Sequence, residues 1–147
     1  MYLKARTRLA CQIAHLHPDR FNEAIHAGSF LCAPKTRPGM ARVFDVNDII
    51  VLRVYSWLIE EGMIPSKAGP MACGLRDVLD RSPEADVALC VKTHFPGDDW
   101  LTPEELGADA EFHHGTDIVS IREWRLKNLR ARIEHELRSE ASIVGDA

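Results

Sequence analysis

Apolar residues recur along this chain in two rhythms. Between residues 4 and 16, Leu9, Ile13 and Leu16 return at spacings of four and three, which places them on one helical face. Lys4, Arg6 and Arg8 stand at the entrance of that helix. Pro18 pushes His17 out of the helical region, and Asp19 can cap the next helix or sit in its first turn. Phe21, Ala24 and Ile25 then predict a second helix over about 19–27, closed by Gly28. Two short helices joined by a tight turn have the size of a helix-turn-helix. Ser29–Ala33 and Ala41–Phe44 predict two short strands around the basic, Pro/Gly-containing stretch Pro34–Met40, a hairpin with a long tip that reads as a wing. The strongest helix signal covers 46–62. Val46, Ile49, Ile50, Val54, Trp57 and Leu58 share one face, interrupted only by Arg53, with Asp45 or Asn47 as cap and Gly62 as stop. A further helix is predicted over 66–81, capped by Ser66, with Met71, Leu75, Val78 and Leu79 inward.

After Ser82-Pro83 the rhythm changes to a period of two. Val87, Leu89 and Val91 alternate within 85–95, which predicts a strand, and Pro96–Asp99 supplies a turn. Thr102-Pro103 opens a one-turn helix, and Glu111–His114 reads as a second strand. Residues 119–138 read as one long amphipathic helix, with Ile121, Trp124, Leu126, Leu129, Ile133 and Leu137 facing one way. That stripe is the candidate dimerisation surface; the competing reading packs it back on its own chain. The expected fold class is mainly α with small β hairpins. A winged helix-turn-helix domain occupies residues 1–81, and a small α+β segment, 82–147, ends in the long helix.

Composition narrows the function classes. A chain of 147 residues with 46% hydrophobic and 27% charged residues can bury one sizeable core. No apolar run approaches the roughly 18 residues of a membrane span, and no apolar stretch follows the basic N-terminus as a signal peptide requires. The expectation is a cytoplasmic protein with no membrane partner. Cys11, Cys32, Cys73 and Cys90 are widely spaced and form no Cys-x-x-Cys pair, so they are expected to be reduced, mostly buried thiols. The net charge is −4, yet residues 1–53 carry eight Lys/Arg against four Asp/Glu, a local balance of +4. A basic front on an acidic body suits phosphate contact, which needs local positive charge.

The stretch from Gly39 to Arg53, GMARVFDVNDIIVLR, is similar to the Gly-Tyr-Arg-x-Tyr, acidic helix start and Leu-Arg pair of the MerR family of regulators. Glu61-Gly62-Met63-Ile64-Pro65-Ser66 resembles that family's step into its next helix. The resemblance spans residues 9–81 and implies a dimeric, sequence-specific regulator of transcription bound to double-stranded DNA. Two departures matter. The family's Thr-Leu-Arg-Tyr-Tyr recognition core is replaced by Asp19–His26, DRFNEAIH, so the target sequence does not carry over. The C-terminal half also lacks the family's metal-binding cysteine cluster, so an effector is not named.

Under this reading Arg20, Asn22, Glu23 and His26 face the major groove, where Arg reads guanine and Asn reads adenine. Arg6, Arg8, Lys35, Arg37 and Arg42 grip the backbone or minor groove. The rival is an architectural, excisionase-like DNA-binding module or a protein-interaction module without an effector. Other chemistry leaves little trace. Gly69–Gly74 has P-loop glycine spacing, but Leu75-Arg76 stands where Lys-Ser/Thr is needed and no strand precedes it. Cys11 with His15 or His17, or His113 and His114 with Asp117, offer metal-ligand residue types without a spacing that converges three or four of them. No cofactor, no metal and no catalytic residues are expected.

Overall fold

The computed structural model describes residues 3–107 and 111–144. The chain begins with a short strand, β1 (Lys4–Arg6), followed by the helix pair α1 (Thr7–Ile13) and α2 (Pro18–His26). A long loop leads to β2 (Val43–Asp45), which pairs antiparallel with β1 in the register Lys4↔Asp45, Ala5↔Phe44 and Arg6↔Val43. α3 (Val46–Glu60) and α4 (Pro65–Arg81) follow. Then come β3 (Val87–Thr93), β4 (Asp98–Leu101), the single turn α5 (Pro103–Leu106), β5 (Phe112–His113), β6 (Thr116–Arg125) and α6 (Lys127–Val144). The second sheet is antiparallel with strand order β4-β3-β6-β5, and it curls.

The expected fold class is overturned. The chain is about 49% helical with 21% strand, and a curled four-stranded antiparallel sheet stands beside the two-stranded one. It is not a mainly α protein with a winged helix-turn-helix at its front. The hairpin predicted from 29–33 and 41–44 does not form: β2 takes the chain's N-terminal strand as its partner. Side chains hold the loop instead of a ladder. Phe30 is buried, edge-on to Phe21 and Tyr55, and Arg42 donates to the Pro34 carbonyl. Cys32 is disulfide-bonded to Cys73 of α4, so the expectation of four reduced thiols fails for this pair. Pro34 and Pro38 have no N–H to give a strand partner.

The helix expected over 119–138 is also corrected. Residues up to Arg125 are strand, pairing with β3 from Val87↔Arg125 to Thr93↔Ile118, and the helix starts only at Lys127. Leu126 turns the corner, with its N–H on the Asp86 carbonyl.

One hydrophobic core runs through both halves. α3 is its axis: Ile49, Ile50, Leu52 and Leu58 are fully buried. It is capped by a reciprocal pair, in which Asp45 accepts from the Asp48 N–H and Asp48 accepts from the Asp45 N–H. α4 meets the sheet through a glycine: a Cβ on Gly74 would come 2.3 Å from the Trp100 ring, whose Nε1 donates to the Met71 carbonyl at 2.8 Å. α6 packs on α3, sinking Leu126, Ile133 and Leu137 into the same core.

Candidate nucleic-acid interface

The two N-terminal helices are set by a short turn that the rest of the chain holds. His15 has φ of 58°, an uncommon conformation for a non-glycine residue. Its carbonyl accepts from Oγ of the buried Ser56 on α3 at 2.8 Å, and its ring lies 3.4 Å from the Arg132 guanidinium of α6. Past the turn, His17 caps α2 by accepting the Asp19 N–H at 3.1 Å, and Pro18 occupies the first helical position. α2 buries Phe21 and Ala24, and Phe21 meets the Phe44 ring edge-on at 5.6 Å. The inner face of α2 is thereby fixed, and its outer face is left to solvent.

That outer face carries Arg20, Asn22, Glu23 and His26, all exposed. They do not form one cluster. Asn22 shares an open cleft with Thr7, Arg8, His17, Pro18 and Asp19, between the starts of α1 and α2. Arg20 and Glu23 stand instead at the rim of a cavity of about 140 Å³ that is lined also by Leu16, Ala24, Ala27, Ser29, Tyr55, Ile59 and Pro65. Burial pushes the Tyr55 phenol upward; the Arg20 charge lowers it and the Glu23 charge raises it. Tyr55 and Ser56 support this site from α3. Nothing in the sequence singles them out, because their helical stripe reads only as core.

The remaining candidates divide. Arg6 is exposed on β1, opposite Val43. Lys35 and Arg37 are exposed on the loop, where Met40 N–H closes a turn on the Arg37 carbonyl at 3.0 Å. Arg42 is different: its guanidinium is half-buried, bonded to Pro34 and 5.8 Å from the centre of the Phe21 ring. It braces the loop through this one bond.

Arginine use separates the front from the body. Every arginine beyond residue 50 faces a carboxylate, from Arg53 with Glu60 to Arg138 with Glu134. Arg76 alone meets Asp45, Asp48 and Asp80. Arg6, Arg8, Arg20 and Arg37 make no side-chain hydrogen bond or ion pair among the described residues.

The residues expected to dimerise are not one stripe. Ile121 and Trp124 lie on β6, Ile121 outward and Trp124 inward beside Trp100, their ring centroids 6.3 Å apart. Leu126, Ile133 and Leu137 are buried in the chain's own core, and Leu129 packs against it. A single dimerisation helix made of these six is therefore corrected: the sheet and α3 already cover most of it. Of the thiols, Cys11 and Cys90 are free and buried. Burial raises them to about 11 and about 12, so neither presents a thiolate near neutral pH.

No family model and no curated protein matches this chain. No helix among the described residues is long and apolar enough to cross a membrane.

Proposed function

We propose that the chain is a double-stranded DNA-binding regulator of transcription that lays the outer face of α2 on a major groove. The observation that supports this reading is the contrast in arginines. The acidic body neutralises its own, whereas Arg6, Arg8, Arg20 and Arg37 stand exposed and uncommitted on the basic front. An uncommitted guanidinium on a helix whose inner face is fixed can form the two-pronged contact that guanine offers. The Asn22 carboxamide can do the same for adenine, each contact contributing about 1–3 kcal/mol of discrimination. Arg6, Arg8, Lys35 and Arg37 supply sequence-independent, salt-dependent affinity. The likeness of residues 39–53 to the MerR family points to the same activity.

A pair of copies on a two-fold operator would set their α2 helices about 34 Å apart. The joining face is not the apolar side of α6, which is already buried. The proposed compartment is the cytoplasm. Thiols there are kept reduced, so duplex binding is to be measured with the Cys32–Cys73 bond both open and closed.

The test is in vitro selection of bound duplexes from a random pool, followed by comparison of selected and random duplex at one salt concentration. A regulator gains about 10³-fold or more on its selected site. Equal binding to both pools identifies an architectural binder instead. No duplex binding in either redox state refutes the reading.

A further inference from the structure

The hairpin of β5 and β6 carries two consecutive histidines, His113 at the end of β5 and His114 in the turn. Side chains of consecutive strand residues point to opposite faces. His114 escapes that alternation because its φ is 51°. The turn thus brings both imidazoles to one side, with ring centroids 3.9 Å apart. There they meet Asp99 of β4. Nε2 of His113 contacts Asp99 Oδ2, and Nε2 of His114 lies 3.5 Å from the same oxygen.

This meeting requires the curl of the sheet. β4 and β5 are the two edges of the order β4-β3-β6-β5. In a flat sheet they would stand about 14 Å apart, three strand spacings. Here one ligand atom from each of Asp99, His113 and His114 falls within 4.8 Å of the others. The His113 side chain is 15% exposed, Asp99 48% and His114 75%, so the cluster is seated on one side and open to water on the other.

We propose that Asp99, His113 and His114 form a binding site for a divalent first-row transition-metal ion of the zinc class. Two imidazole nitrogens and one carboxylate oxygen are a borderline donor set that suits such ions and disfavours magnesium and calcium, which take oxygen ligands. Bonds of about 2.1 Å in a tetrahedral site put neighbouring ligand atoms about 3.4 Å apart, close to the His114–Asp99 spacing of 3.5 Å. A dication would bridge both ring nitrogens and the carboxylate oxygen at once. The fourth position faces solvent and would hold water. Asp117, which the sequence offered as a third ligand, is not in the cluster; Asp99, 14 residues before His113, takes that place.

The full chain, stripped with chelator and dialysed, is titrated with Zn²⁺ by calorimetry and with Co²⁺ by visible absorption. The expected result is one equivalent of Zn²⁺ and the d–d bands of a Co²⁺ ion held by nitrogen and oxygen, with millimolar Mg²⁺ not competing. His113→Ala, His114→Ala and Asp99→Asn each weaken Zn²⁺ binding by at least about tenfold. His135→Ala, on the exposed side of α6, leaves it unchanged. Circular dichroism separates lost ligands from lost fold, and His114→Ala, at an exposed turn, keeps the test open if His113→Ala unfolds. Absence of stoichiometric binding, or binding that all three folded variants leave within twofold, overturns the proposal.

Discussion

Gly69→Ala tests the packing that holds the loop of residues 27–42 against α4. An ideal Cβ on Gly69 would lie 1.6 Å from the Ser29 carbonyl oxygen and 2.6 Å from its carbon. Neither side can yield easily. Ser29 N–H is bonded to the Ala24 carbonyl at 2.9 Å, Phe30 is buried beside it, and Cys73, one helical turn beyond Gly69, is covalently tied to Cys32. Local propensity pulls the other way, since alanine is better than glycine inside a helix by about 0.8–1.0 kcal/mol. Overpacking typically costs about 1–3 kcal/mol and occasionally more, and a clash between two backbones belongs at the upper end. The expected net loss is about 2–4 kcal/mol, a fall in Tm of roughly 5–15 °C for a chain of this size. Urea unfolding followed by tryptophan fluorescence reads it directly. Gly28→Ala is the comparison: nothing lies within 4 Å of its Cβ position, but φ is +71°, so only the left-handed strain of about 1–2 kcal/mol applies. A Gly69→Ala protein as stable as the parent, or more stable, would refute the seating of the loop on α4.

Opening the Cys32–Cys73 bond, which closes a separation of 41 residues, should cost about 4 kcal/mol through chain entropy, visible as a lower urea midpoint with reductant. Asp48 is held up at about 6, first by burial, while Arg76 lowers it. An acid raised in the fold keeps its proton after the unfolded chain has lost its own, so this contribution to stability falls as pH rises from about 4 to 6. Urea titrations of Asp48→Asn across that window should lack the decline. Arg37→Ala should weaken binding to all duplexes alike and reduce the salt slope by about 0.9 for a lost phosphate contact. Asn22→Ala should relax preference at one base position. An unchanged salt slope for Arg37→Ala would remove the loop from the proposed interface.

Much of the helical framework was legible. Pro18, Asp45 and Thr102-Pro103 punctuate the chain where α2, α3 and α5 begin, because caps are local chemistry; the reciprocal partner Asp48 showed only in the structure. β6 was not legible as a strand. Ile121 and Trp124 sit three apart, which fits a helix continuing into Leu126 and Leu129, while Ile118, Arg122 and Trp124 also fit a period of two. Only pairing with β3 decides between them. The absent hairpin has a similar cause: residues 29–33 look like a strand, but Phe30 and Cys32 are drawn to α3 and α4 by contacts remote in sequence. In the candidate interface the exposure of Arg20, Asn22, Glu23 and His26 followed from helical period, whereas the bracing role of Arg42 needed the path of the loop. The Asp99–His113–His114 cluster depends on sheet curl and one backbone angle, and no spacing in the chain announces either.

The seat of α6 on α3 bears on how the chain can be divided. Leu126, Ile133 and Leu137 are at most 4% exposed, and Arg132 reaches the turn between α1 and α2. A gene trimmed after codon 81 would strip this lining from α3 and bare an oily groove to water. The helical front therefore shares its lining with the tail, and cutting between them opens the core of the front.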